Sequence, residues 1–197
     1  MAGRVLGVDP GLTRCGIGVV EMDERRRTSL VHVEVLRSGP ELELAERLRV
    51  VGAGVERALD EHAPDRVALE RVFAQHNLRT VMGTAQISGV VLYAAAQRGL
   101  SVELHTPSEV KAAITGYGDA GKRQVGVMVQ RLLGLSEAPR PADAADALAL
   151  AICSVWKTPL HAARTRPSAP APGGRTRAQE AWLAAERAAA RGRQRLG

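Results

Sequence analysis

Four carboxylates, Asp9, Glu70, Asp143 and Asp146, have positions and spacing that could hold a metal ion. Asp9 ends an apolar run typical of a strand buried on both faces, and Glu70 ends a second run of this kind. Asp143 and Asp146 are spaced i, i+3, which places both on one face of a predicted helix. An ionised carboxylate at the end of a buried strand is costly unless a cation or hydrogen-bond donors meet it.

Each of these acids also has an interpretation without chemistry. The sequence Asp9-Pro10-Gly11 favours a turn in which the Asp side chain bonds to the backbone two residues on. Glu70 could be a plain glutamate at the edge of a sheet. Acids in a first helical turn interact favourably with the helix dipole, and each stabilises the helix by ~0.3–1 kcal/mol. The helix dipole readily explains one of the two helical acids. It explains the presence of both less well, because the repulsion between two carboxylates on one face opposes the stabilisation that each gains from the dipole.

A shared metal site explains all four acids together. If the helix with Asp143 and Asp146 packs on the sheet with Asp9 and Glu70, the four carboxylates meet in one cleft, where they cannot all stay ionised without cations. Oxygen ligands without Cys or His favour Mg²⁺, with Mn²⁺ as an alternative, over Zn²⁺. Carboxylates from several elements are typical of two-metal phosphoryl transfer, in which the ions lie ~3.5–4 Å apart. The substrate indicated is a phosphodiester.

The hydrophobic pattern predicts elements that would bring these acids together. Three opening strands form an antiparallel meander, and a long helix stopped by Pro64 leads to a fourth strand. That strand is most simply parallel to the first, by a right-handed crossover, so Asp9 and Glu70 would lie side by side. The predicted strands are 5–8, 16–20, 30–36, 65–70 and 101–105, and the predicted helices are 41–62, 77–98, 107–115, 124–133 and 141–157.

Two of the predicted helices carry further signals. The helix over 77–98 has small and apolar residues on one stripe, which indicates close packing against the sheet or another helix, with a subunit partner as an alternative. The stripe consists of Val81, Ala85, Gly89 and Leu92. The helix that carries Lys111 begins at a capping box, Thr106 to Glu109, with Pro107 at its first position.

A glycine-rich stretch, residues 116–123, resembles nucleotide-binding loops. It fits G-x-G-x-x-G and nearly fits G-x-x-x-x-G-K-[ST], but both motifs need a strand immediately before the loop, and residues 110–115 are predicted as helix. Arg123 also stands where the magnesium-binding hydroxyl should be. We therefore interpret the stretch as a flexible loop that presents Lys122 and Arg123 to an anionic group, or as an ordinary solvated helix start.

Length and cysteine usage suggest one domain of ordinary size in the cytoplasm. The 197 residues suffice for a real core, and the sequence shows neither a signal peptide nor an apolar run long enough to span a bilayer. Cys15 and Cys153 lack metal-type spacing, and we expect both to be reduced thiols.

The basic charge belongs to the C-terminal segment. Residues 157–197 hold nine of the 27 Lys and Arg but two of the 21 Asp and Glu, a net +7, whereas residues 1–156 carry −1. The net charge of +6 therefore does not argue that the globular part binds nucleic acid. We divide the chain into a nuclease domain, 1–157, and a basic tail, 158–197, predicted to be disordered. Within the tail, 177–191 could form a basic, alanine-rich helix.

Taken in order, the motifs resemble the RuvC-type Holliday-junction resolvases. The resemblance covers about residues 4–157. It implies a ribonuclease-H-like α/β fold with a five-stranded mixed sheet flanked by helices. It also implies a homodimer that makes paired, symmetric nicks in strands of like polarity. A two-fold dimer suits a four-way junction of approximate two-fold symmetry. The motifs are Gly7-Val8-Asp9-Pro10-Gly11, Leu69-Glu70-Arg71-Val72-Phe73, Gly83-Thr84-Ala85-Gln86, Val110-Lys111, Gly121-Lys122-Arg123-Gln124-Val125 and Ala142-Asp143-Ala144-Ala145-Asp146-Ala147-Leu148.

The same resemblance implies roles for individual residues. The four acids would be catalytic and would bind Mg²⁺, two ions per site. Phe73 matches the family aromatic that contacts bases near the crossover, although a lone Phe is more commonly core. Lys111 and Lys122 match basic residues beside the scissile strand, where they would hold phosphate, and Arg123 is a further candidate for binding DNA.

Two other functions fit parts of the sequence. Actin-like kinases and ATPases share the opening strand and turn, but they need a second related domain. A non-enzymatic junction-binding protein would keep the fold, but we would expect it to have lost at least one of the four acids.

Three interpretations of the basic tail stay open. It could attract DNA phosphates nonspecifically, it could dock on the branch-migration proteins RuvA and RuvB, or it could be a solvated segment without a binding role.

Overall fold

A five-stranded mixed sheet forms the centre of the fold. The structure is a computed structural model that describes residues 3–72 and 78–157, without the side chains of 78–80. The strand order is β3-β2-β1-β4-β5. β1 to β3 form the antiparallel meander and β4 runs parallel to β1, as predicted. β4 is also parallel to β5. The strands are β1 (Gly3–Asp9), β2 (Arg14–Met22), β3 (Thr28–Arg37), β4 (Arg66–Glu70) and β5 (Ser101–His105).

Within the described part of the chain, five helices accompany the sheet. The capping box of α3 is confirmed, with Thr106 Oγ1 3.2 Å from the Glu109 backbone nitrogen, whose N–H it accepts. The fourth helix begins at Lys122, not 124 as predicted, and the Gln124 side chain accepts a hydrogen bond from the Gly121 N–H at its start. None of the helices in the described ranges is long and apolar enough to cross a membrane. The helices are α1 (Leu44–His62), α2 (Leu78–Gln97), α3 (Pro107–Thr115), α4 (Lys122–Leu132) and α5 (Ala142–Lys157).

A hydrophobic core lies on each face of the sheet. One core joins the sheet to α1 and α2, and the other joins it to α3, α4 and α5. For the small-residue stripe of α2, packing against the sheet or another helix was predicted, with a subunit partner as an alternative, and packing on the sheet is wrong. The buried face of α2 carries Ile87, Val91 and Ala95, whereas Ala85 and Leu92 of the stripe are exposed. The larger apolar side chains take the buried face because they remove more apolar surface from water.

Helix α5 lies directly on the backbone of β1 and β2. A Cβ added at Gly7 would fall within 3.0 Å of the Ala147 carbonyl oxygen, and one added at Gly16 would overlap the Asp143 carbonyl oxygen. Only glycine allows backbones to approach so closely. These contacts hold the N-terminal half of α5 against the strand that ends in Asp9.

A buried arginine links β4 to the C-terminal half of α5. Arg66 is fully buried and donates from Nε to the Ser154 hydroxyl (2.9 Å) and from Nη2 to the Ser154 carbonyl oxygen (2.7 Å). The Ser154 hydroxyl in turn donates to Glu103 Oε2 at 2.7 Å. The Arg66 Nη1 atom is buried without a hydrogen bond, but the bonds from Nε and Nη2 still tie the elements that carry these groups to each other. The network therefore aligns the strand that ends in Glu70 with the helix of the two Asp.

Candidate active site

Three of the four predicted acids line one cleft at the edge of the sheet. Asp9 and Glu70 are the last residues of β1 and β4, and the parallel register pairs Val8 with Leu69, so the two acids end adjacent strands. Asp146 enters the same cleft from α5. The cleft has a volume of about 230 Å³ and is lined by Asp9, Glu70, Pro107, Val110, Lys111, Lys122, Val125, Asp146 and Leu150.

Burial and mutual repulsion disfavour charge on these acids. Burial, followed by the charges of Asp146, Glu70 and Asp143, raises the pKa of Asp9 from 3.8 to about 7. Burial, followed by the charge of Asp146, also raises the pKa of Glu70. A raised carboxyl pKa means that the ionised form is under-compensated in the folded protein. A cation between these side chains would supply the missing compensation.

Two lysines contribute the positive charge of the cleft. Lys122, from the first turn of α4, places Nζ 3.3 Å from Asp146 Oδ2, and this carboxylate is the main cause of its raised pKa. The charge of Lys111, on α3, acts to lower the pKa of Glu70. Lys122 is largely exposed, so it can leave Asp146 for another anionic group at small energetic cost.

Asp143 lies at the boundary with a neighbouring cleft. Its side chain is 18% exposed, and its Oδ2 lies 3.1 Å from Arg14 Nε. This oxygen is nevertheless a buried atom without a hydrogen bond, since the Arg14 contact meets the distance of an ion pair but not the direction of a hydrogen bond. We interpret the contact as a Coulombic pair. Asp143 is still close enough to raise the pKa of Asp9.

The donor set fits a hard divalent cation. Within residues 3–72 and 78–157, no three His, Cys, Asp or Glu side chains are already arranged to hold a metal ion. The structure gives a reason, because Lys122 contacts Asp146 while Arg14 contacts Asp143 in the adjacent cleft. All the candidate ligands are carboxylate oxygens, one of which is buried without a hydrogen bond, and such a set suits Mg²⁺ or Mn²⁺.

Two further residues were predicted to contact DNA, Phe73 and Arg123. Phe73 is outside the described residues. Arg123 lines a different cavity, beside Tyr117 and Arg131, so the structure does not bring it to the acids, and its role in DNA binding stays a prediction. The glycine-rich loop follows helix α3 and not a strand, which removes the structural context that both nucleotide-binding motifs require.

Sequence reasoning missed the arginine beside Asp143. The second strand was predicted to begin at residue 16, whereas it begins at Arg14, and this side chain shares a sheet face with Gly16, on which α5 lies. A signal was available, because glycines at positions 16 and 18 of a predicted strand indicate close approach of another backbone. That signal would have placed the helix of Asp143 over this end of β2.

The strand order and the placement of acids define the class of protein. A sheet ordered β3-β2-β1-β4-β5, with acids at the adjacent ends of β1 and β4 and at the start of α5, is the arrangement expected of a ribonuclease-H-like nuclease. The yeast mitochondrial Holliday junction resolvase Ydc2 shares the fold, with a TM-score of 0.56 at 14% identity.

Comparisons with known proteins identify the family. The family model of crossover junction endodeoxyribonuclease RuvC matches residues 5–154. RuvC of Leifsonia xyli subsp. xyli is 60% identical over 195 residues, covering 95% of this chain and 94% of the relative. RuvC of Clavibacter michiganensis subsp. michiganensis is 58% identical over 196 residues, covering 94% and 97%. Thermus thermophilus RuvC in complex with Holliday junction substrate is 38% identical, with a TM-score of 0.73, covering 77% of this chain and 92% of that one.

The chain therefore belongs to the RuvC family of crossover junction endodeoxyribonucleases. The α/β fold inferred from the motifs, with five strands in a mixed sheet, is confirmed by the structure and by these neighbours. The prediction of a nuclease is confirmed by the family.

Proposed function

We propose that this protein resolves four-way DNA junctions by paired, symmetric, Mg²⁺-dependent nicks in strands of like polarity, during homologous recombination and repair. The observation that carries the proposal is the meeting of Asp9, Glu70 and Asp146 in one cleft, with Asp143 close by and two lysines at its side. The T. thermophilus relative at 38% identity, solved with a Holliday junction substrate, supports the same substrate here.

The four acids are proposed as the ligands of two divalent ions. Bound Mg²⁺, or Mn²⁺ in its place, would activate a water molecule and stabilise the leaving oxygen. Asp9 and Glu70 are fixed by the sheet, and Asp143 and Asp146 by α5, so the set is held by two rigid elements. In this role each carboxylate must be ionised, and the raised pKa of Asp9 means that the metal-free protein opposes the loss of the Asp9 proton.

The lysines are proposed to hold the scissile phosphate. Lys122 would exchange its contact with Asp146 for a phosphate oxygen, and Lys111 would counter the charge that develops there. Both lysines line the cleft of the acids, Lys111 from α3 and Lys122 from α4, which supports a role in holding a phosphate there. Contacts of Phe73 with bases and of Arg123 with the backbone are proposed on the family resemblance alone.

The test is cleavage of a synthetic four-way junction beside linear duplex of the same sequence, with Mg²⁺ or with EDTA. We expect nicks at symmetric positions of the junction alone, only with Mg²⁺, and products that DNA ligase can seal. Equal cutting of the duplex, or cutting in EDTA, would contradict the proposal. Junction binding without any cleavage would favour the non-enzymatic alternative.

We also propose that two copies pair through the exposed face of α2. Met82, Leu92 and Tyr93 are 57%, 42% and 64% exposed, although each is large and apolar in most of its surface. Their spacing along α2 places them on a common side of the helix. An exposed apolar stripe of this kind is typical of a subunit interface. A two-fold dimer would present two clefts to the two equivalent strands of a junction.

Substitution of Leu92 by Glu is expected to weaken the dimer. Burying a charge in an apolar interface should raise the dimer dissociation constant at least about 10-fold, since central interface contacts contribute ~1–2 kcal/mol or more. Sedimentation velocity across a concentration series measures the change. Leu44→Glu is the matched control, because Leu44 is 43% exposed on α1. Identical sedimentation of the two variants would exclude this face of α2 as the dimer interface.

Two finer proposals rest on the family. A cytoplasmic location suits an enzyme that acts on chromosomal junctions, and Cys15 and Cys153 are both free and buried, as suits a reducing compartment. Cooperation with RuvA and RuvB is proposed from the resemblance. The basic tail, whose residues 158–197 lie outside the described ones, is their candidate docking segment or a further source of phosphate attraction.

A further inference from the structure

A second cleft adjoins the acids on the side of Asp143. It has a volume of about 360 Å³, and Lys111 and Lys122 do not line it. Its polar groups are two arginines, two threonine hydroxyls and the Asp143 carboxylate. The cleft is lined by Gly11, Leu12, Thr13, Arg14, Arg47, Gly83, Thr84 and Asp143.

The loop that forms one wall of this cleft is held in place. The Ser38 hydroxyl donates to the Leu12 carbonyl oxygen at 2.5 Å. Arg47 donates from Nε to the Ser38 hydroxyl (3.1 Å) and from Nη2 to the Thr13 hydroxyl (2.8 Å). A Cβ at Gly83 would lie 3.2 Å from the Leu12 side chain, so α2 packs tightly on the loop. The cleft is therefore preformed by the fold.

Positive charge exceeds negative charge around this cleft. Arg14 is paired with Asp143, whereas the side-chain partners of Arg47 are hydroxyls. Arg14 also lies directly opposite Arg37 in the β2–β3 register, and Arg37 makes no ion pair with any other described residue. Like charges placed opposite each other on a sheet are destabilising. An anion bound here would offset that repulsion.

We infer that this cleft is a second phosphate-binding subsite, which holds a backbone phosphate of the junction strand next to the scissile one. The inference rests on the proposed function. Arg14 is 52% exposed and would turn from Asp143 to the phosphate. The Thr13 hydroxyl accepts from Arg47, which leaves its own proton to donate, and Thr84 offers a second hydroxyl. The DNA strand would then be held on both sides of the acids, by lysines on one side and arginines on the other.

The salt dependence of junction binding tests the subsite. Removing a side chain that neutralises one DNA phosphate should reduce the slope of log K against log salt by about 0.9. The comparison is made in EDTA, between Asp143→Asn and the double variant Arg14→Gln with Asp143→Asn. The Asp143→Asn background removes the carboxylate that the arginine change would otherwise leave unpaired. We expect the double variant to bind the junction more weakly, with a slope shallower by about one.

The matched control is Arg49→Gln in the same background. Arg49 pairs with Glu46 on the exposed surface of α1, two positions along from Arg47 and outside the cleft, so its replacement should leave the slope unchanged. Equal slopes for the Arg14 and Arg49 variants would overturn the subsite, while junction cleavage by the unmodified protein leaves the proposed function standing. Absence of both junction binding and cleavage in the unmodified protein would overturn the two together. Thermal unfolding of each variant verifies the fold.

Discussion

Replacement of Asp9 by asparagine is expected to abolish junction cleavage and, at the same time, to stabilise the metal-free protein above pH 7. Asp9 lines the cleft together with Glu70 and Asp146, and asparagine keeps its shape but not its charge. Loss of a central carboxylate from a two-ion site should lower the cleavage rate about 10³-fold or more, by analogy with the removal of other groups that stabilise transition-state charge.

The gain in stability follows from the direction of the Asp9 pKa shift. The folded protein holds the Asp9 proton up to about pH 7, whereas the unfolded chain releases it near 3.8. The folded state therefore binds more protons between these values, and stability falls as the pH rises through that window. At ~1.4 kcal/mol per pH unit the loss reaches at most about 4 kcal/mol above pH 7. An asparagine side chain is neutral over this whole pH range, so the Asp9→Asn variant does not lose this stability.

Urea unfolding in EDTA at pH 4 and at pH 8 measures this effect. Asp9→Asn should match the unmodified protein near pH 4 and exceed it by several kcal/mol at pH 8. Asp119→Asn, in the exposed loop before α4, is the control and should change neither value by more than about 0.5 kcal/mol. Retained cleavage would remove Asp9 from the mechanism, and equal stability at pH 8 would show that its charge is already compensated.

The same electrostatics predict how metal and protons compete. Because the Asp9 carboxyl must lose its proton before it can bind a cation, apparent metal affinity should rise with pH up to about 7 and then level off. Lys111, Lys122 and Arg14 affect the charge of the acids in the metal-free protein. They already neutralise part of the acidic cluster, so the metal-free cleft folds with its α5 acids paired to cations.

The sequence allowed the strand ends to be predicted because their signals are local. An apolar run that stops on a carboxylate is visible in a few residues, and this placed Asp9 and Glu70 at neighbouring strand ends. The spacing of Asp143 and Asp146 gave their common helix face in the same way. Pairing of charged side chains is not local, since Arg14 meets Asp143 only because α5 crosses the end of β2. No periodicity in either segment reports that crossing, and the local signal for it is the pair of glycines at positions 16 and 18.

The stripe on α2 shows a second limit of sequence patterns. Helical spacing groups Ala85, Gly89 and Leu92 on one side but does not say which side faces the sheet. The helix also carries Ile87, Val91 and Ala95 at the same spacing, and this set buries more apolar area. Two apolar faces on one helix indicate two packing partners, of which the sheet is one.

Substitution of Gly16 by alanine is expected to be one of the most damaging small changes among the described residues, comparable with the same change at Gly7. Its added Cβ would overlap the carbonyl oxygen of Asp143 and lie 3.2 Å from the Ala147 side chain. A backbone atom of a helix cannot move aside as a flexible side chain can, so α5 must shift or the sheet must bend. Overpacking of this kind costs about 1–3 kcal/mol and more where backbone is involved. We expect a loss of about 3 kcal/mol or more in the free energy of unfolding.

The functional effect of Gly16→Ala should exceed what its lower stability explains. At a temperature where the variant is still folded, its cleavage rate should fall at least about 10²-fold, because a displacement of catalytic groups by about 1 Å has effects of that size. Gly126→Ala, in α4, is the control, since its Cβ would meet no atom within 4 Å and alanine favours the helix by up to about 1 kcal/mol. Equal stability of the two variants would mean that α5 does not lie on the backbone of β2. Full activity in a destabilised Gly16→Ala would instead mean that the position of Asp143 is not critical, since this substitution acts on the residue's own carbonyl group.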